Sequence, residues 1–327
     1  MNSPQHRQDK ASGRRRLRKN ASNRYSIEES PFWRLKSIHT FAKLIAVPVQ
    51  DLESVCMAPT YNEFDEQLKP GAKPGKAPRR IQEPTEQTLR IHYRLVKHFD
   101  SIRRPDFLHS ATKKRSHVTN ARAHVETGGS VVAMDIRKFF ENTLYAHVKQ
   151  FFVRDLGCSP DIARLLANVC TARGHLPTGS CISPLLSYLC HRGMFAAIEK
   201  LCGDANVTMT LYVDDVTLSG THATKTLLHQ VKSIIKRHGL ETQPTKDAVI
   251  KPGKAAIITG VVREEGQLRL RNKHHDAIVR LQDVIVGGDD RPYQRRRGQL
   301  AAARSVEPVA AVRLSARLDR MLRSSEV

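Results

Sequence analysis

Three aspartates carry the most specific chemistry in this sequence. Asp214 and Asp215 are neighbours inside Leu211-Tyr212-Val213-Asp214-Asp215-Val216-Thr217-Leu218-Ser219, an otherwise apolar, strand-prone run. Side chains on a strand alternate faces, so two adjacent acids in a continuous strand would drive one into the core. A tight hairpin turn removes the conflict by lifting both to its tip. Asp135 ends a second apolar run, Val131-Val132-Ala133-Met134. If the two strands are neighbours, three carboxylates converge at one sheet end. Such a set suits Mg2+, which prefers oxygen ligands and shares its shell with water and substrate phosphates. Two ions about 3.5–4 Å apart activate an attacking hydroxyl and hold a leaving pyrophosphate. An isolated Asp-Asp pair is more often a solvated turn. The apolar flanks and the upstream Asp135 reverse that preference.

Two further features fit nucleotide chemistry. Phe140 follows Asp135 by five positions, in Ile136-Arg137-Lys138-Phe139-Phe140. A ring there can sit beneath an incoming sugar and exclude a 2′-hydroxyl, while Phe139 is the better candidate for packing into the core. Leu176-Pro177-Thr178-Gly179-Ser180, with Ser183-Pro184, is a glycine-bearing loop that opens a helix. Such a loop can approach a nucleotide or template closely, or can be an ordinary turn and cap.

These residues need elements to hold them. Phe32, Trp33, Leu35, Ile38, Phe41, Leu44 and Ile45 recur at three- and four-residue spacing, which predicts an amphipathic helix. Pro84-Thr85 opens another, with Leu89, Tyr93, Val96 and Phe99 as its apolar face. Helices are expected near 143–155, 160–172, 184–202 and 222–238. A small sheet is expected over 249–270 with Glu265-Gly266 as a turn, and two basic helices near 272–286 and 307–323. The mixture is an α+β chain.

Charge narrows the partners. The 327 residues hold 54 Lys and Arg against 32 Asp and Glu, a formal +22. Such a surplus repels itself unless a polyanion is near, so nucleic acid leads over an anionic membrane surface. Hydrophobic residues make up 40%, enough for a sizeable core. No stretch approaches the roughly 18–20 apolar residues of a membrane span. The six cysteines never form Cys-x-x-Cys, which argues against a zinc site and fits a reducing cytoplasm. Arg14, Arg15, Arg16, Arg18 and Lys19 lie in a polar segment over residues 1–29, read as a basic flexible arm. Arg271, Lys273, His274, His275 and Arg280, continued by Arg291, Arg295, Arg296 and Arg297, form a basic run near the C-terminus that can track phosphates or simply face solvent.

With these residues in view, the sequence resembles a reverse transcriptase. Tyr212-Val213-Asp214-Asp215 matches the Tyr-x-Asp-Asp box, and Asp135 with Phe139-Phe140 matches the first carboxylate motif. Leu176-Pro177-Thr178-Gly179 with Ser183-Pro184 matches the motif between them. More narrowly it resembles the bacterial retron enzymes, through Asn120-Ala121-Arg122-Ala123-His124 and Ile258-Thr259-Gly260-Val261-Val262.

The resemblance implies a right-hand polymerase fold: fingers and palm with an antiparallel sheet over 30–250, and a basic, helical, nucleic-acid-binding thumb over 251–327. It implies copying of part of a cognate structured non-coding RNA into multicopy single-stranded DNA (msDNA) from dNTPs. Synthesis would start at the 2′-hydroxyl of an internal guanosine, and an accessory effector and a role in anti-phage defence would accompany it. By position, Asp135, Asp214 and Asp215 become the ligands of two Mg2+ ions and Phe140 the sugar gate. Arg79 becomes a triphosphate contact, with Lys76 in the same loop, and Thr178 and Gly179 line the nucleotide. Tyr212 and Val213 form the hairpin and primer grip. Asn120 and His124 take an RNA-contact or a structural role. Thr178 stands where many relatives have Gln, and Val213 where retrons usually have Ala. The alternatives are a non-catalytic RNA-binding scaffold or antitoxin-like partner, and a group II intron-like or diversity-generating reverse transcriptase.

Overall fold

The computed structural model describes residues 24–67, 78–285 and 290–324. Two helices, α1 (Ile38–Ile45) and α2 (Val49–Met57), precede a two-stranded ribbon of β1 (Tyr61–Asp65) and β2 (Arg80–Pro84). Then come α3 (Glu86–Phe99), α4 (His117–Arg122), β3 (Ser130–Asp135), α5 (Phe139–Asn142), α6 (Tyr145–Gln150), α7 (Pro160–Cys170), α8 (Ser183–Cys190) and α9 (Arg192–Asp204). The hairpin of β4 (Thr208–Tyr212) and β5 (Asp215–Gly220) leads to α10 (Lys225–Arg237) and β6 (Ala248–Ile250). A small antiparallel sheet, β7 (Ala256–Ile258), β8 (Val261–Glu264) and β9 (Gln267–Arg269), is followed by α11 (Asn272–Ile285), α12 (Asp290–Val306) and α13 (Pro308–Ser324).

The functional frame is the four-stranded sheet ordered β4-β5-β3-β6, antiparallel throughout. Val131, Val132, Met134, Val216 and Leu218 are buried in it, so β3 is a nearly continuous apolar run, while β5 alternates Val216 and Leu218 with the buried hydroxyl residues Thr217 and Ser219. Their register is pinned at the far end by glycine: Ser130 pairs with Gly220, and a Cβ added to Gly129 would lie 2.3 Å from the Gly220 backbone. Counting along from that contact brings Asp135 opposite Asp215. A slip of one residue would move every apolar side chain to the other face. The main core continues through Phe32, Phe41, Phe99, Phe151, Phe152 and Phe195, all nearly inaccessible to solvent.

Several expected elements differ in detail. The helix anticipated from Phe32 begins only at Ile38, because the chain turns at 31–34 with Arg34 left-handed at φ 54°. Phe32 and Leu35 are buried all the same. The buried face of α3 is Thr88, Ile91, His92, Leu95 and Phe99, and Tyr93 is 59% exposed. A neutral His92, bonded to Ser180 and to the Val169 carbonyl, serves as a core residue and rotates the face from the expected one. The long helix expected over 184–202 breaks at His191 into α8 and α9. The C-terminal segment holds a third helix, α12, which Pro292, Gly298 and a run of arginines conceal in the sequence. The body also begins earlier than an arm ending at 29 allows. Tyr25 exchanges backbone hydrogen bonds with Ser101 and Arg103, and its hydroxyl donates to the His98 carbonyl at 2.8 Å. Residues 1–23 lie outside the described residues. Among the described residues, no helix is long and apolar enough to cross a membrane.

Candidate active site

Asp135 is the last residue of β3, Asp214 lies in the β4–β5 turn, and Asp215 opens β5. Asp215 pairs across the ladders with both Asp135 and Tyr212. The Ile136 N–H donates to the Asp214 carbonyl at 2.9 Å, which ties the turn to the exit of β3. Each acid offers a carboxylate oxygen, and these oxygens lie within 4.8 Å of one another. The three sequence-selected acids therefore meet at one end of the sheet.

Three carboxylates this close repel one another. Burial, then the charge of Asp135, raises the Asp214 carboxyl above its ordinary range. Burial, then Asp214 and Asp135, pushes Asp215 up to about 6. The cluster calls for positive charge, and Lys246 supplies one: its ammonium donates to Asp135 Oδ2. Arg79, exposed, acts on Asp214 in the same sense. All-oxygen donors with unmet negative charge fit a hard divalent cation and disfavour metals that seek thiolate or imidazole. Asp135, Asp214 and Asp215 would hold it.

Cation binding requires ionised acids, which gives a pH prediction. As pH falls through about 6, Asp215 takes up its proton, and the Mn2+ concentration for half-saturation should climb by up to about tenfold per pH unit. Thermal-shift titration measures this, and a flat response between pH 5 and 7 contradicts it. The sign for stability is opposite in the metal-free protein. A raised carboxyl in the folded state means folding binds protons, so stability present at low pH is lost as pH rises through about 6.

The remaining predicted residues divide by what they touch. Lys138, left-handed at φ 47°, turns the chain from β3 into α5. Phe139 is buried against His191 and Phe195, with ring centroids at 5.5 and 6.1 Å. Phe140 stays half-exposed, stacked on Phe139. Thr178 and Gly179 bond to β2: the Thr178 hydroxyl donates to the Arg80 carbonyl at 2.8 Å and accepts from Gln82 N–H at 3.2 Å. Gly179 N–H donates to the Gln82 carbonyl at 3.1 Å, and a Cβ there would lie 2.8 Å from that oxygen. The close approach that needs glycine is thus the protein's own backbone, and this joint fixes the strand that emerges from Arg79. Lys76 lies outside the described residues.

Asn120 and His124 are both inaccessible to solvent, which corrects the RNA-contact expectation in favour of the structural one. His124 Nδ1 lies 2.5 Å from Ser219 Oγ and Nε2 lies 2.7 Å from Thr210 Oγ1, so the imidazole joins the chain after α4 to both strands of the aspartate hairpin. Burial, first of all, pushes its pKa down to about 3. The retron-like segments also meet each other. Thr259 Oγ1 donates to the His117 carbonyl at 2.7 Å, and Val118, Ala121, Ile258 and Val261 share one small core with Val306. Arg271 is half-buried and Lys273 exposed beside this junction. Arg295, Arg296 and Arg297 fall in α12, with side chains outside the described residues, as is that of Arg280. Sequence alone does not single out Lys246. Its loop bears no fixed spacing to Asp135, 111 positions away, so no local signal marks it.

Comparison with known proteins agrees with this geometry. The family model described as reverse transcriptase (RNA-dependent DNA polymerase) matches residues 72–261. The chain is 23% identical to the retron Ec86 reverse transcriptase of Escherichia coli over 279 residues, covering 84% of this chain and 85% of that protein. It is 26% identical to the retron Se72 reverse transcriptase of Salmonella heidelberg over 47% of this chain and 40% of that protein. It is 27% identical to the retron Mx162 reverse transcriptase of Myxococcus xanthus over 47% of this chain and 38% of that protein. A carboxylate triad at the end of an antiparallel sheet, with a family match spanning every strand that builds it, leads to one conclusion: the chain belongs to the reverse transcriptase family, as an RNA-directed DNA polymerase of the bacterial retron type.

Proposed function

We propose that this polymerase copies part of a cognate structured non-coding RNA into msDNA, starting from the 2′-hydroxyl of an internal guanosine. The observation that carries the catalytic part is the meeting of Asp135, Asp214 and Asp215 with oxygens within 4.8 Å of one another. In this reading they hold two Mg2+ ions. Bound Mg2+ lowers the pKa of an attacking hydroxyl and neutralises charge on the transferring phosphate. The chain's own residues position the reactants. Arg79, exposed at the foot of β2 within electrostatic reach of Asp214, takes the triphosphate, with Lys76 beyond it. Phe140, half-exposed, excludes a ribose 2′-hydroxyl, and Tyr212 and Val213 contact the primer end. The Thr178–Gly179 loop acts on the nucleotide through the strand it holds.

On the same reading the segment up to residue 250 forms fingers and palm, and residues 251–327 a thumb whose Arg271, Lys273 and Arg295 to Arg297 follow RNA phosphates. Phosphate contacts give affinity with little sequence choice, so recognition of the cognate RNA would rest on its shape. An accessory effector, anti-phage defence and a cytoplasmic setting complete the proposal. The competing scaffold reading has the same basic surface. It is disfavoured because clustered, partly buried acids on a protein that binds polyanions are costly without a catalytic cation.

Sequencing the nucleic acid that co-purifies with the protein is the direct test. A branched RNA–DNA species is expected. Unbranched RNA alone, with no dNTP incorporated on it, would favour the scaffold.

A further inference from the structure

We infer that Ser110 is a positioning residue for polymerisation: its hydroxyl holds the aspartate turn in a backbone conformation that the turn's own residue, Val213, resists. The inference rests on the reading that Asp214 and Asp215 carry the catalytic cations.

The turn between β4 and β5 is two residues long, Val213 and Asp214. Val213 occupies its first central position with φ 60°. Two-residue hairpins place Gly, Asn or Asp at left-handed positions, and a β-branched side chain there is a genuine outlier. Such a conformation persists only where its surroundings over-determine it. Here the Val213 N–H donates to Ser110 Oγ at 2.9 Å. Ser110 is 3% exposed, so water has little access to replace that acceptor.

The segment that carries Ser110 is itself clamped. Leu211 N–H donates to the Phe107 carbonyl at 2.8 Å and His109 N–H to the Leu211 carbonyl at 2.9 Å, so residues 107–109 run beside the outer edge of β4. Ser110 follows directly, next to the turn. Arg115 Nη1 reaches the carbonyls of Pro105, Asp106 and Leu108 at 2.7–2.9 Å, and its Nη2 donates to Asp106 Oδ1 at 2.7 Å. Thr112 Oγ1 donates to the Ser110 carbonyl at 2.9 Å. His109 Nδ1 lies 2.9 Å from Thr119 Oγ1 on α4.

The consequence is catalytic because Asp214 and Asp215 follow Val213 directly. If Val213 relaxes toward an ordinary φ, both carboxylates swing relative to Asp135, which belongs to another strand. Displacements of an ångström are enough to cost large factors in rate.

A coupling cycle tests this, with primer extension on an RNA template and Mn2+ thermal-shift titration as readouts. Ser110→Ala should lower kcat about tenfold or more, leave the dNTP KM within about threefold, and raise the Mn2+ half-saturation point. Ser110→Thr, which keeps the hydroxyl, should recover most of the loss. Made on top of Val213→Gly, which removes the left-handed penalty, Ser110→Ala should cost less than about threefold. Should Ser110→Ala fail to fold, Ser110→Cys, a weaker acceptor of similar size, takes its place with the same pattern expected. Equal losses in the Val213 and Val213→Gly backgrounds, or unchanged kcat and Mn2+ half-saturation, overturn the inference. Asp215→Asn separates it from the site reading. An inactive Asp215→Asn with no coupling between 110 and 213 removes this inference alone, whereas a fully active one removes the cation site itself.

Discussion

The double variant Asp214→Asn, Asp215→Asn is expected to lose primer extension by at least about a thousandfold while folding normally. Carboxamides keep the size and hydrogen-bonding reach of the acids but carry no charge to balance divalent cations. The same change should raise the thermal stability of the metal-free protein. Both acids are pushed above their ordinary range, Asp215 to about 6, by burial and by the crowding of like charges. Near neutral pH that crowding works against the folded state, and neutral side chains remove it. A second signature follows: the melting-temperature increase that Mn2+ gives the parent protein should vanish. Stability gained with activity lost is the expected trade at a site arranged for a cation rather than for its own packing. Undiminished extension by this variant would refute the assignment of the triad. Lost activity with an intact Mn2+ shift would move the cation site elsewhere.

His124→Leu carries the largest expected stability effect, a loss of about 2–4 kcal/mol. The imidazole is fully buried and spends both ring nitrogens on hydroxyls, Ser219 on β5 and Thr210 on β4. Thr127 Oγ1 lies 2.7 Å from the same Ser219 hydroxyl. Leucine would strand the buried Thr210 hydroxyl, leave the Ser219 hydroxyl with Thr127 alone, and fit a differently shaped space. Urea denaturation measures the change, and a loss below about 0.5 kcal/mol would mean that the network adds little to the fold. The native His124 also gives a pH trend. Its pKa is pushed down to about 3 by burial, against an ordinary 6.5. The unfolded chain therefore binds a proton that the folded one refuses, and its contribution to stability falls as pH drops below about 6.5. His191 and His92, pushed to about 3 and about 4 by burial, act in the same direction.

Much of the catalytic hairpin is legible in the linear sequence. Adjacent acids inside an apolar strand run are incompatible with an unbroken strand, so a turn near Asp214-Asp215 follows from side-chain alternation. The structure places it one residue earlier, on Val213-Asp214, and Asp215 opens β5 instead of sharing the tip. Phe139 and Phe140 separate correctly into a core residue and a half-exposed one. Where local reasoning failed, a distant partner decided the outcome. The apolar face of α3 rotates because His92 finds Ser180 and Val169 across the core, and neutral histidine then packs like a hydrophobe. Helix α12 is hard to read because Pro292, Gly298 and three consecutive arginines break the pattern, leaving only Leu300, Ala303 and Val306 as a short apolar stripe at its C-terminal end.

The sequence by itself determined which groups can do the chemistry: three carboxylates, an aromatic after the first, a cationic surface, and strands short enough to present acids at their ends. Only the tertiary structure decided that Asp135 stands opposite Asp215, that Lys246 sits on Asp135, that Thr178 and Gly179 grip β2, and that His124 faces inward. Turn chemistry and side-chain period act over a few residues, so they are written locally. The β3–β5 register and the lysine at the triad join positions many tens of residues apart, and they are fixed by burying whole apolar faces at once, a condition no short window of sequence contains.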